Sequence, residues 1–250
     1  MPRQSKVERW LMVPRPVSSP RLRLICLPYA GGNPETFRTW VKHLDADVEL
    51  LGVRLPGRGS RIQELPYDDW RPLTEDCLQV LEPFVGEPHA FYGHSFGGRL
   101  AYELTQRIRL DFRGLTRRLF VGACRSPDSP QARPYLHQLS QGDFRRALET
   151  LGATPSAVLE NEEVLSLMLP AIHSDMRLAE IWGDWHPAPL SIPMHVYYGH
   201  QDPVDNYASV VSWSRYTSSS CEFVGIDAGH FFLETHREQL LSHMMMRLRD

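Results

Sequence analysis

Gly93-His94-Ser95-Phe96-Gly97 decides how this chain is read. Just before it, His89-Ala90-Phe91-Tyr92 is a short run with strand character, and from Phe96 to about Leu110 the pattern is helical. A serine on so tight a strand-to-helix turn is forced into strained backbone geometry, and residues two places either side must be small to avoid collision. The geometry leaves the hydroxyl exposed at the carboxyl edge of a sheet, above the start of a helix. The pentapeptide alone would also fit a glycine-rich turn; the strand before it and the helix after it favour a nucleophile.

Outward from this point, short apolar runs alternate with longer amphipathic stretches. Arg21–Leu27, Val48–Leu55, Arg117–Cys124, Met194–Gly199 and Glu222–Ile226 read as strands, with a short edge strand at Trp10–Val13. Helices are expected at Pro34–Leu44, with proline in the first turn, and at Pro72–Phe84, with Leu73, Cys77, Val80 and Leu81 on one face. Two more are expected near Tyr207–Tyr216 and from Glu234 to Arg249. Such alternation implies an α/β fold, a mostly parallel central sheet with helices on both faces. From Pro127 to Pro193 only helical patterning is seen, at Asp143–Leu151 and Glu162–Trp182. Residues 127–193 are therefore expected to be a helical insertion on top of the sheet, within a single domain spanning 1–250.

Composition bounds the function. The chain has 250 residues, 42% hydrophobic and 23% charged, which suits one large globular domain needing no disulfide or metal staple. A formal charge of −3 supplies no basic field for nucleic acid. No apolar run is long enough to span a bilayer, and the N-terminus has no apolar signal core, so no membrane association is expected. Cys26, Cys77, Cys124 and Cys221 are widely separated, with no zinc or redox spacing, so reduced thiols, a cytoplasmic location and no metal or cofactor are expected.

A serine hydroxyl needs a base, and the base needs an orienting acid. On a strand–turn–helix scaffold of this type both follow the serine in the chain. Of the 11 histidines, His230 stands in Asp227-Ala228-Gly229-His230-Phe231, between the last strand and the last helix, where such a base must be. His94 precedes the serine and suits packing beside the turn; His236 and His243 suit a solvated helix face. For the acid, Asp202 follows the strand Met194–Gly199, and Asp128 follows the strand ending at Cys124; Asp202 is preferred for its short loop. Asp205 reads as a helix-start residue. An oxyanion hole needs two backbone donors, for which the N–H groups of Phe96 and of Ala30, in Pro28-Tyr29-Ala30-Gly31-Gly32, are the candidates.

Leu27-Pro28-Tyr29-Ala30-Gly31-Gly32, the Ser95 motif, Gly199–Pro203 and Gly229-His230-Phe231-Phe232-Leu233 together resemble the type II thioesterases. These are stand-alone α/β-hydrolases that accompany polyketide synthases and nonribosomal peptide synthetases, and the vertebrate medium-chain fatty acid synthase thioesterase is similar. The match spans nearly the whole chain and includes Leu55-Pro56-Gly57-Arg58. It departs at Phe96, where Met or Leu is frequent, and at Gly98, where Ala is common. The resemblance implies hydrolysis of acyl groups held as thioesters on the phosphopantetheine arm of acyl or peptidyl carrier proteins, removing aberrant acyl units that stall an assembly line. It makes residues 127–193 a flexible helical lid that forms the acyl chamber; a monomer is expected. It also implies that the acid follows the later strand, favouring Asp202, although synthase-fused thioesterase domains often carry it after the earlier one. The rival readings are a carboxylesterase or lipase, and a catalytically silent α/β-hydrolase used as a binding module.

Two further expectations concern the surface and the lid. Twenty-five of the 27 basic residues are arginine, and Arg99, Arg107, Arg109, Arg113, Arg117, Arg118 and Arg125 crowd the chain after the nucleophile. A solvated helix face explains them; the sharper expectation is that some, with Arg58 or Arg61, meet an acidic carrier protein. In the lid, Phe144, Leu148, Leu151, Val158, Leu165, Met168, Leu169, Ile172, Met176 and Ile181 are candidates to pack on the core or line an acyl channel.

Overall fold

The computed structural model describes residues 6–131, 134–151, 160–186 and 188–249. Seven strands form one sheet in the order β1-β3-β2-β4-β5-β6-β7. They are β1 (Leu11–Met12), β2 (Leu22–Leu27), β3 (Val48–Val53), β4 (His89–His94), β5 (Thr116–Gly122), β6 (Met194–Gly199) and β7 (Cys221–Ile226). All pair parallel except β1, which lies antiparallel on β3. Strands β3 and β4 are buried from end to end, as covering both faces requires, and β3 is accordingly apolar without alternation except at Glu49, which pairs with Arg23 on β2.

Helices α2 (Trp70–Val85) and α3 (Phe96–Ile108) cover one face, preceded in the chain by the short α1 (Lys6–Trp10), which the sequence pattern did not suggest. The segment Pro34–Lys42 covers the other, but as a 3-10 helix. Its buried residues, Pro34, Phe37 and Trp40, repeat every third position, and a 3-10 helix places such residues in one line.

Between β5 and β6 lie a 3-10 turn, Leu136–Gln138, and two helices, α4 (Gln141–Leu151) and α5 (Glu162–Ile181). No strand occurs there among the described residues. Leu136, Phe144, Leu148, Leu165, Leu169, Ile172 and Met176 make a small core of their own, with Ala30 and Met168 packed against it. Ile181 is exposed; Val158 and the side chain of Leu151 lie outside the described residues. The far end of α5 is tied to the main body. Arg125 donates to the carbonyls of Ala179 and Trp182, and Glu103 accepts from Trp182 Nε1 and His186 Nε2.

The stretch expected as one helix near Tyr207–Tyr216 is one turn of α-helix, α6 (Tyr207–Val210), followed by a 3-10 helix. Its cap is Asn206, whose side chain accepts from Ala208 N, and not Asp205. The C-terminal helix is likewise divided, into α7 (Phe232–Thr235) and α8 (Arg237–Arg249), with His236 in non-helical geometry between them. Glu234 in α7 accepts from Tyr29 Oη and Thr36 Oγ1, which fixes that turn to the loop after β2 while α8 packs on the sheet. Among the described residues no helix is long and apolar enough to cross a membrane.

Candidate active site

Ser95 occupies the turn between β4 and α3 with φ 55° and ψ −116°, in the left-handed half of backbone space. Its N–H is held by the carbonyl of Gly122 on β5, 2.8 Å away. The flanking glycines are steric necessities. A Cβ on Gly93 would fall on the carbonyl of Gly97, and one on Gly97 would fall on the carbonyl of Leu27. Strain at one non-glycine residue is thus imposed by packing on both sides, a pattern found where a side chain must be presented for chemistry.

His230 Nε2 lies 3.0 Å from Ser95 Oγ, and His230 Nδ1 lies 2.8 Å from Asp202 Oδ2. Both the histidine and the aspartate are buried. The second carboxylate oxygen of Asp202 accepts the N–H groups of Val204, at 2.7 Å, and Asp205, at 3.2 Å. Burial by itself would raise the pKa of Asp202; the neighbouring His230 and the two amides outweigh it and hold the carboxyl below its ordinary range. A charged aspartate accepting from Nδ1 leaves Nε2 free to take a proton from the serine.

Asp128 is engaged elsewhere, accepting from Ser126 Oγ and pairing with Arg215. His94 does more than pack. Its Nε2 donates to the backbone carbonyl of His230 at 2.7 Å, and its Nδ1 accepts from Tyr92 Oη at 2.9 Å. Burial, helped by the adjacent His230, pushes its pKa down to about 3, so the ring is neutral and those roles are fixed. His243, expected on a solvated face, is half-buried against Tyr197 and Glu222.

Ala30 and Phe96 stand on either side of the serine in the chain. Phe96 is the first residue of α3, where N–H groups lack an intrahelical acceptor. Ala30 is the second residue of a turn closed by Gly32 N donating to Tyr29 O at 2.8 Å, with Gly31 at φ 71°, the geometry of a type II turn. Beside this turn opens a cavity of about 270 Å³, lined in part by Ala30, Gly31, Met168, Ile172 and Glu234. Two other cavities, of about 330 and 640 Å³, are lined by Arg109 and Thr116 or by Arg117 and Arg118, at the amino ends of the strands and away from Ser95.

The arginines sort differently from expectation. Arg58 is buried against Asp175, and Arg61 is buried beside Glu64. Arg99 and Arg125 are also buried, near Asp205 and the end of α5. None of these four can meet a partner protein; Arg107, Arg113 and Arg117 stay exposed, toward the edge of the sheet opposite the serine. The residue that sequence reasoning missed is Asp175. Its signal was a carboxylate among the apolar positions of α5, three places after Ile172.

A serine elbow after the central strand of a doubly wound sheet, with histidine and aspartate supplied by later strand ends, defines the α/β-hydrolases. Within that class the match is narrower: residues 22–248 match the family described as Thioesterase domain, and the chain belongs to that family. It is 33% identical to "Thioesterase PikA5" of Streptomyces venezuelae over 226 residues, 90% of this chain and 80% of that protein. It superposes on the type II thioesterase BorB from the borrelidin biosynthetic cluster with a TM-score of 0.88 and 32% identity, covering 98% of this chain and 99% of BorB. RedJ, the thioesterase of the prodiginine pathway in Streptomyces coelicolor, gives 0.83 and 34%, covering 94% and 91%. The chain is a type II thioesterase of the kind found with nonribosomal peptide and polyketide assembly lines, and its activity is thioester hydrolysis.

Proposed function

We propose that this thioesterase works as a serine hydrolase on acyl groups carried by the phosphopantetheine arm of acyl or peptidyl carrier proteins, and that it edits a biosynthetic assembly line by removing stalled acyl units. The observation that carries the mechanism is the unbroken chain from Ser95 Oγ through His230 to Asp202, at 3.0 and 2.8 Å.

In this mechanism Ser95 Oγ attacks the thioester carbonyl as His230 Nε2 takes its proton. Asp202 steadies the imidazolium through Nδ1–H. The N–H groups of Ala30 and Phe96 receive the oxyanion, each such donor being worth about 3–4 kcal/mol in comparable sites. Collapse expels the pantetheine sulfur, which takes the proton from His230 Nε2 and departs as the thiol, leaving an acyl-serine and a neutral imidazole. His230 then deprotonates a water, which attacks the ester, and returns the proton to Ser95 as the acid departs. A thiolate leaves readily, so proton delivery to the leaving group matters less than in amide hydrolysis. No step draws on a metal or cofactor.

Residues 127–193 act as the lid of the single domain, and the cavity beside Ala30 receives part of the acyl chain. The enzyme works as a cytoplasmic monomer. The test of substrate class compares an acyl-pantetheine thioester, free and carrier-bound, with the matching oxygen ester. Preference for the carrier-bound thioester is expected; equal or faster turnover of the oxygen ester would point to a carboxylesterase.

A further inference from the structure

We propose that Asp175, on the lid helix α5, is a positioning residue for the oxyanion loop, so that the lid is a working part of the catalytic apparatus and not only a cover. The proposal rests on the reading above, in which the Ala30 N–H receives the oxyanion.

Three N–H groups converge on the two oxygens of Asp175. Gly31 N donates to Oδ2 at 2.8 Å, Arg58 Nη1 reaches the same oxygen at 2.6 Å, and Arg58 Nη2 reaches Oδ1 at 3.1 Å. The side chains of Arg58 and Asp175 are 2% and 3% exposed, so water does not compete for these bonds. Arg58 is itself aimed by the carbonyls of Pro56 and Gly32, at 3.0 and 3.4 Å. Ile172, one turn earlier on α5, presses on the same spot, since a Cβ on Gly31 would fall on its Cγ1.

The bond to Gly31 is the one with catalytic consequence. Gly31 N belongs to the middle peptide of the Tyr29–Gly32 turn, the unit that can flip to convert a type II turn into a type I turn. Flipping reverses its N–H and C=O. In the flipped state the Ala30 carbonyl would face the buried carboxylate, where repulsion replaces a charge-assisted hydrogen bond. Asp175 therefore selects one orientation of the peptide that follows Ala30, and with it the backbone geometry of the residue whose N–H meets the oxyanion. Stability alone is a poor reason for an ion pair here, because well-packed apolar residues often stabilise a core as much as a buried salt bridge does.

Two variants separate positioning from mere support. In the double variant R58M/D175L the charges leave together, so the fold is expected to survive, but Gly31 loses its acceptor. In D175N the acceptor stays, but Arg58 loses its counter-charge. Positioning predicts that R58M/D175L keeps its Tm and loses about 100-fold in kcat, with little change in KM, the size expected for a misplaced oxyanion donor. Affinity for a trifluoromethyl ketone analogue, which forms an oxyanion on binding, should fall in proportion to kcat/KM. D175N should show the reverse, a lowered Tm with kcat reduced less than about tenfold. If kcat instead follows Tm, lost in D175N and retained in R58M/D175L, the proposal is overturned. Failure of the underlying mechanism has a different signature, wild-type turnover by S95A, and would remove the proposal with it.

Discussion

At the level of single residues, the site turns on which aspartate serves His230. Asp202 and Asp128 both follow strand ends, and sequence alone kept both open. The structure gives His230 Nδ1 to Asp202 and ties Asp128 to Ser126 and Arg215. Asp202→Asn should therefore lower kcat by about 10³–10⁴-fold, since an amide cannot hold the ring in the required tautomer. Asp128→Asn should stay within about twofold; steady-state kinetics on one acyl-pantetheine thioester checks both. His94 adds a third case. His94→Ala removes the donor to the His230 carbonyl and leaves a buried gap beside the base, so kcat and Tm should both fall, the latter reflecting about 1–3 kcal/mol. The candidate site residues were legible because each has a local signature: a glycine-flanked serine, and a histidine or aspartate just past a strand. Asp175, Arg58 and Arg99 were not, because Arg58 and Asp175 lie 117 positions apart and the partner of Arg99, Asp205, comes from a distant loop, so only packing brings them together.

At the level of elements, the excursion between β5 and β6 has its own small core at one end and polar ties to the main body at the other. Arg125 holds the last carbonyls of α5, where a cation also complements the helix dipole. Arg125→Met should loosen that end. Limited proteolysis is expected to cut between 127 and 193 sooner than in the wild type, while a fluorophosphonate still labels Ser95; unchanged cleavage would contradict the assignment. Strands and main helices were legible from apolar runs and their spacing. The departures, a 3-10 helix at Pro34–Lys42 and breaks within the 207–216 and 232–249 stretches, arise where side-chain contacts to another layer set the local backbone, as Glu234 does through Tyr29 and Thr36.

At the level of the whole molecule, acid is the condition under which the fold should weaken first. Burial holds His94 down to about 3 and His195 down to about 4, against about 6.5 in an unfolded chain. A histidine whose folded pKa lies below its unfolded value stabilises fully above the unfolded pKa. That contribution is lost as the pH falls from about 6.5 toward the folded values, at up to about 1.4 kcal/mol per pH unit for each ring. Asp202, held low in the fold, acts in the same direction at lower pH. Tm should therefore be level above pH 7 and fall between pH 6.5 and 4; a Tm unchanged down to pH 4.5 would contradict the buried, neutral state of both rings. The arginine-rich composition is resolved at this scale too. Several arginines that looked like a docking surface are internal fasteners, joining the loop after β3 and the start of α3 to the layers above them.

The central claim is that Ser95 carries the acyl group between thioester and water. Intact-protein and peptide mass spectrometry, after rapid mixing with an acyl-carrier thioester and acid quench, reads this directly. The acyl mass is predicted on the peptide containing Ser95, in an amount that rises before product does, and it should be absent from Ser95→Ala, whose turnover should be at least about 10⁴-fold slower. Wild-type turnover by Ser95→Ala, or an acyl mass on another residue during productive turnover, would contradict the account.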